Sequence, residues 1–484
     1  MSGFDPANNE EDEWLAAVSN NSTGGGNKKK GGKKGKKGGK NNNKQNDTIE
    51  LEDEEEKEID IETLNNEMAD LAVAQELQDA IDKDIIRNNK GKEHAFWSTQ
   101  PVQEINAIYD GRVGDSGPID PNNDVNTIMS DNHSLPKGFV PSGFEWCSVD
   151  VTKKEEIDDL YTLLNENYVE DDDCNFRFDY SIPFLQWALT PPGYYMDWHV
   201  GIRNKFNGKL HAFISGVPVQ VKVHTQVITV CEINFLCCHK SLRDKRLAPT
   251  LIKEITRRVN LKGIWQAVYT AGVVLPKPVA RCRYWHRSIN IKKLVETGFS
   301  RLHPRETMNR AIKKHKVPDV TSYPLDRLRV EDVPSANRLL SKYLKKTKLH
   351  QVMTDDEFAH QLLPKAGVVD CYVLRNQKTG EVTDMISFYH LPSSVLQNPL
   401  HNRLEIVYFY YNVATTVNLP DLLNDLLIIA RQLNVDVCNA LELMENEPHF
   451  EPLGFKPGDG HLQYYVYNWR CPTMEKKDVG LVLL

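Results

Sequence analysis

Several classes of protein are excluded by what the sequence does not contain. No apolar stretch approaches the roughly 20 residues needed to span a bilayer. The opening segment, MSGFDPANNEEDEW, is acidic and lacks the apolar run of a signal peptide. Cysteine is sparse: nine in 484 residues, an odd number without framework spacing. Reduced thiols in a cytoplasmic (cytosolic) protein are therefore expected. The Walker glycine-lysine signature is missing, which counts against a nucleoside triphosphate ligand. What is present is ordinary for a globular chain, with 40% hydrophobic and 26% charged residues. A chain of 484 residues predicts about two domain-sized units.

The net charge of −8 conceals two opposed blocks. Residues 28–44 carry nine lysines among Gly and Asn, and residues 50–62 carry nine acids. Neither block has apolar surface enough to offset the entropy of ordering, so residues 1–80 are expected to be a disordered extension. A lysine block binds phosphate polymers or anionic lipid, and ribosomal RNA is the first partner to test. The alternative is a solubilising tail partly neutralised by its acidic neighbour. Apolar helical spacing begins at Leu64, Met68, Leu71 and Leu77, and from about residue 94 the chain reads as folded to its end.

Two passages share one layout. Helical spacing at Ile157, Leu160, Leu163 and Leu164 leads to a hairpin at 201–208, Ile214-Ser215 and Pro218. Helical spacing at Ala336, Leu339, Leu340 and Tyr343 leads to a hairpin at 374–380, Ile386-Ser387 and Pro392. Arg203-Asn204 and Arg375-Asn376, Gly208 and Gly380, and the two Ile-Ser pairs are all separated by the same distance along the chain. An apolar strand follows in each (231–238, 405–413), then an amphipathic helix ending near Asn260 or Asn434, then Gly-Phe at 298–299 or 454–455. The order argues for an internal duplication in an α/β or α+β fold.

Residues 231–260 carry the strongest chemical signal. Cys231 to Cys238 reads as a buried strand, and the thiols of Cys237 and Cys238 as packing in an apolar strand, not nucleophiles. His239, Lys240, Arg243, Lys245 and Arg246 follow in one loop, and Pro249-Thr250 opens a helix with Leu251, Ile252, Ile255 and Val259 on its apolar face. Strand, basic loop and helix N-terminus form an anion site suited to the pyrophosphate of coenzyme A, the alternative being a solvated basic loop. At the other end the tail Val479-Gly-Leu-Val-Leu-Leu484 is apolar throughout and is expected to dock. Docking would bury the α-carboxylate of Leu484 and raise its pKa toward that of a base.

EINFLCCHKSLRDKRLAP (232–249), YTAGVVLPKPVARCRYWHRS (269–288) and GDGHLQYYVYNW (458–469) together resemble the signature set of the N-myristoyltransferases. The likeness spans about residues 94–484. It implies a duplicated acetyltransferase (GNAT)-like fold with pseudo-two-fold symmetry. It also implies direct transfer of a myristoyl group from myristoyl-CoA, a co-substrate, to the N-terminal glycine of a protein, with no resident cofactor and no metal. The division it suggests is 81–320 for myristoyl-CoA, and 321–484 for the peptide and the terminal carboxylate.

By that resemblance Phe235 and Leu236 give the main-chain N–H groups of an oxyanion hole, and the carboxylate of Leu484 is the base. Asn234, Thr270 and Gly272 surround the incoming glycine. Phe235, Leu236, Cys237, Cys238, Asp244, Arg246, Leu247 and Ala248 line coenzyme A, with Ala95, Phe96 and Trp97 folding over it. Asp244 stands where the family carries serine, and His94-Ala95 where a tyrosine and a polar residue are usual. Tyr168, Tyr180, Tyr284, His286 and Tyr408 line the peptide groove, although His286 alone would read as a hydrogen-bonded core histidine. The run Glu170-Asp-Asp-Asp173 by itself is a metal cluster or a solvated turn. The resemblance instead makes Asp171 and Asp173, with Asp459, a trap for a substrate lysine. The family often carries a lysine-rich extension linked to ribosomes. The rival reading is an inactive ribosome- or RNA-binding adaptor.

Overall fold

The computed structural model describes residues 94, 96–103, 116–121, 140–169 and 175–484. The lysine and acidic blocks, the spacing from Leu64 to Leu77, Ala95, Asp171 and Asp173 lie outside the described residues, as does the side chain of Asp244. The first half runs β1 (Phe144–Ser148), α1 (Lys154–Asn167), β2 (Phe176–Phe178), α2 (Ile182–Leu189), β3 (His199–Asn204), β4 (Leu210–Val223), β5 (Gln226–Cys238), α3 (Leu247–Asn260), β6 (Ala267–Ala271) and β7 (Ala280–Ser288). After α4 (Ile291–Glu296) and α5 (Met308–Lys314) come β8 (Asp326–Arg327), α6 (Val333–Leu344), β9 (Leu349–Gln351), α7 (Asp355–Leu362), β10 (Val369–Arg375) and β11 (Val382–His390). The chain continues through β12 (Ser393–Val395), β13 (Arg403–Leu404), β14 (Ile406–Phe409), α8 (Leu419–Gln432), β15 (Val437–Leu441), β16 (Lys456–Tyr467) and β17 (Val479–Gly480).

The long sheet is ordered β1-β3-β4-β5-β6-β16-β7-β15-β14-β11-β10-β8. Read from either edge, it presents the same succession: short edge strand, hairpin, parallel pair. At the centre the halves exchange strands. β16, from the second half, pairs with β6, and β7, from the first, pairs with β15. The repeat extends to individual bonds. Asn204 Oδ1 accepts from Phe206 N–H at 2.8 Å, and Asn376 Oδ1 from Lys378 N–H at 2.9 Å. Gly208 and Gly380 close the two hairpins at φ 70° and 74°, a left-handed turn that a Cβ would strain.

The helices α3 and α8 keep the spacing of the hairpins, beginning at Leu247 and Leu419, and each is 14 residues long. Leu251 and Ile255 of α3, and Leu423 and Leu427 of α8, are buried against their own half of the sheet. Burial of each such side chain stabilises by about 1.5–3 kcal/mol.

The second strand of the first hairpin does not stop at Pro218 but runs on to Val223. Pro218 pairs with Cys231, whose N–H turns away to Gln266 O, so the ladder asks for no donor there. Among the described residues no helix is long and apolar enough to cross a membrane.

Candidate active site

β5 is interrupted by a bulge. Phe213 pairs with Cys237 and Ser215 with Asn234, so two residues, Phe235 and Leu236, oppose the single Ile214. Phe235 takes φ 55°, unusual for a bulky side chain. Ser215 Oγ fixes the bulge by donating to Asn234 O at 2.9 Å. Beyond Cys231–Ala267 and Glu232–Val268 the parallel pair β5–β6 ends, and the strands part.

A cavity of about 1210 Å³, its open mouth included, fills that gap. One arm runs between β5, β6 and α3, walled by Ile233, Ile252, Ile255, Val259, Ala267 and Tyr269. The other is walled by Tyr168, Tyr180, Tyr284, Tyr389, Leu391 and Tyr408. Burial drives the phenols of Tyr168, Tyr180, Tyr284 and Tyr408 above the ordinary tyrosine value, so this arm carries no charge from them. Where the arms meet stand Asn234, Phe235, Leu236, Thr270 and Leu484.

The tail reaches this point inside the protein. Leu481, Val482 and Leu483 are buried, and Leu484 partly so. β17 pairs with β9, and Gly480 is required for the passage. A Cβ there would meet Leu344 and Thr347 at 2.8 Å. At its end Asn234 Nδ2 donates to the carboxyl oxygen of Leu484 at 2.6 Å, while Asn234 Oδ1 accepts from Phe235 N–H at 2.8 Å. One amide thus joins the bulge to the tail.

At the α3 end, the N-cap residue Arg246 adopts φ 54°, and its own side chain does not cap the helix. Leu247 and Ala248 are buried there, and Lys245 and Arg246 are exposed. Arg243 is tied instead to Asn167 O at 2.8 Å. Cys237 and Cys238 are buried, and burial pushes the Cys237 thiol up to about 12, which suits packing and not nucleophilic attack. Trp97 stacks on Tyr269 (5.9 Å), which stacks on Tyr465 (4.8 Å), and this holds the Phe96–Trp97 segment against the first arm.

Trp97, Tyr168, Tyr180, Asn234, Phe235, Leu236, Thr270, Tyr284, Tyr408 and Leu484 share the cavity wall. Phe96, Cys237, Cys238, Arg246, Leu247, Ala248, Gly272, His286 and Asp459 lie outside it. His286 bonds Asn439 Oδ1 at 2.7 Å, as a core histidine does, and burial lowers its pKa. Asp459 is exposed at a bulge of β16 between Pro457 and His461. Phe178, Tyr389 and Leu391 are among the wall residues that were not singled out in the sequence. The available signal was the place of Tyr389, just past the repeated Ile386-Ser387. Among the described residues no group of His, Cys, Asp or Glu is arranged to hold a metal.

Residues 118–282 match the family model for the N-terminal domain of myristoyl-CoA:protein N-myristoyltransferase, and 296–482 that for its C-terminal domain. The chain is 50% identical over 394 residues to a glycylpeptide N-tetradecanoyltransferase of Drosophila melanogaster, covering 81% of each. It is 49% identical over 400 residues to the enzyme of that name from Dictyostelium discoideum, covering 82% of this chain and 94% of the other. The crystal structure of Saccharomyces cerevisiae N-myristoyltransferase with bound myristoyl-CoA superposes with a TM-score of 0.76 at 40% identity, covering 81% of this chain and 100% of that one. None of these similarities supports an inactive adaptor.

Proposed function

The chain belongs to the myristoyl-CoA:protein N-myristoyltransferase family, and on that footing we propose how its own residues carry the reaction. It is a glycylpeptide N-tetradecanoyltransferase, an acyltransferase with myristoyl-CoA as co-substrate. The acyl chain occupies the arm between β5, β6 and α3, with the coenzyme A phosphates at the N-terminus of α3 near Arg246, Leu247 and Ala248. The peptide enters the tyrosine-walled arm. Asp459, Asp171 and Asp173 draw a lysine further along the substrate. Exposed ion pairs are worth about 0–1 kcal/mol each, so they tune peptide choice only.

An α-amine has a pKa near 8 and arrives mostly as ammonium. The Leu484 carboxylate takes its proton, and the freed amine attacks the thioester carbonyl beside Thr270. Charge then develops on the carbonyl oxygen, and the N–H groups of Phe235 and Leu236 receive it, Phe235 N–H by turning from Asn234 Oδ1 to the oxyanion. The observation that carries this reading is Asn234, bonded at once to Phe235 N–H and to the Leu484 carboxyl where the two arms meet.

The test offers coenzyme A thioesters of different chain lengths with glycine- and alanine-starting peptides. Transfer of the C14 chain to the glycine peptide alone is expected, because a Cβ would intrude where amine and carbonyl must come within about 3 Å. Preference for acetyl, or acylation of the alanine peptide, refutes the reading. We further place the enzyme in the cytosol, associated with ribosomes through the lysines of 28–44. Removal of residues 1–80 should abolish ribosome association and leave peptide acylation intact.

A further inference from the structure

Leu484 has a cavity on either side. Behind the tail lies a second one, of about 490 Å³ with its open mouth included, whose polar wall is Glu232 of β5, Gln351 of β9, Glu357, His360 and Gln361 of α7, and Tyr410. Leu484 borders both. Side chains alternate along a strand, so Glu232 and Asn234 project from the same face of β5, about 7 Å apart. Asn234 holds the Leu484 carboxyl, and Glu232 is the next residue along that face.

A carboxylate in the middle of a mostly apolar strand needs a reason. Among the described residues no lysine or arginine lines this cavity. Glu357 and His360 of α7, Gln351, Gln361 and Leu484 line the cavity with Glu232, and the phenols of Tyr410 and Tyr411 lie within its electrostatic reach. Burial lowers His360, so the neighbourhood supplies no cation at neutral pH. Burial alone pushes the Glu232 carboxyl up to about 7, a value at which it accepts and releases a proton with equal ease. Bonds continue along the wall, Tyr410 Oη donating to Gln361 Oε1 and Gln361 Nε2 to Gln351 Oε1, both at 3.0 Å.

The reaction requires an exit for protons. The ammonium loses two protons in becoming an amide N–H. The departing thiolate, with a pKa near 8.5, recovers one of them. One proton per turnover must therefore leave a site whose two arms are filled by substrates. We propose that Glu232 relays that proton: it passes from the Leu484 carboxyl through water in the second cavity to the Glu232 carboxylate, and out past Glu357 and His360. This rests on Leu484 as the base.

The test compares Glu232→Gln with wild type in single-turnover acylation across pH 5.5–8.5. The expected result is amide formation about tenfold slower at pH 7.5, below the 10²–10⁴-fold typical of a direct base, with both substrates bound as before. Wild-type turnover should fall as pH drops through about 7, where Glu232 takes up a proton, and the variant should lack that limb. Imidazole buffer should restore part of the lost rate, as it would not for a packing defect. If Glu232→Gln misfolds, Ala188→Leu, which narrows the same cavity from α2, should slow turnover in the same buffer-sensitive way. An unchanged rate and pH profile in the folded variants overturns the relay. Removal of Leu484 separates the two ideas. If it abolishes turnover while Glu232→Gln does nothing, only the relay fails, and if turnover survives, the base reading fails first.

Discussion

The two halves of the sheet are built alike and finished differently. In the first, β5 and β6 part after two paired residues, and the gap is the cavity. In the second, β14 and β15 part after three, and the chain's own tail fills the gap. Met444 N–H donates to Val479 O at 3.2 Å, and Val482 N–H to Tyr411 Oη at 3.5 Å. Both carry a one-residue bulge after the hairpin. The second is closed by protein, Tyr411 N–H donating to Ser387 Oγ and Ser387 N–H to Asn412 Oδ1. In the first, Phe235 is twisted to positive φ and faces the cavity. The loops before the matched helices differ in the same sense. Asp384, buried, accepts from Thr415 N–H (2.6 Å) and Thr416 N–H (2.8 Å) ahead of α8. Its counterpart in the first repeat is Ala212, so the strand position that holds the acid in the second half is apolar in the first. In one half the tail and a bonded serine fill the places that border the cavity in the other.

Four experiments would break or sharpen this comparison. Deleting Leu484, or extending the chain past it, should lower kcat by about 10²–10⁴-fold with acyl-CoA affinity unchanged. Unchanged turnover would detach the tail from the chemistry. Ala212→Asp should give the first half the acid that the second has, weakening acyl-CoA binding by about tenfold or more (~1.4 kcal/mol) in a calorimetric titration, with melting to confirm the fold. Its mirror, Asp384→Ala, should cost about 1–3 kcal/mol of stability and leave acyl-CoA affinity alone.

Burial would raise the Asp384 carboxyl, but the bonds from Thr416 and Thr415 hold it below its ordinary value. Its contribution is therefore fully present above the unfolded value near 3.9 and is lost as pH falls below it, which acid melting curves of wild type and Asp384→Ala will separate. Third, Gly208→Ala and Gly380→Ala should each cost about 1–2 kcal/mol in denaturant titrations, equally and without effect on kcat. Unequal losses would show that the hairpins are not equivalent. Smallest in stability is the serine pair. Ser215→Ala and Ser387→Ala should each cost about 0.5–1.5 kcal/mol, but only Ser215→Ala should lower kcat, because only its bulge faces the cavity.

The duplication was legible because hairpin turns, Ile-Ser pairs and helix starts keep one constant spacing along the chain. The basic loop and helix start at 239–250 were legible because charge and helix-opening residues are local signals. The bulge at Phe235 was not, since nothing in a phenylalanine announces a left-handed backbone. Phe178 and Tyr389 were missed because a strand residue facing a cavity has the same neighbours in sequence as one facing the core. Glu232 left a trace, a lone acid in an apolar run, which the chemistry around it obscured. The exchange of β7 and β16 depends on pairing between segments far apart in the chain, which no local pattern encodes.

That exchange governs when the enzyme can come into being during synthesis. β6 is made early, but the strand that flanks it on the inner side, β16, is translated only after β7 to β15. Pairing across such a distance is slow, and until it happens an apolar edge stands open to other chains. The first half should therefore wait, half-assembled and in need of chaperones, until β16 has been made, and acylating activity should appear all at once.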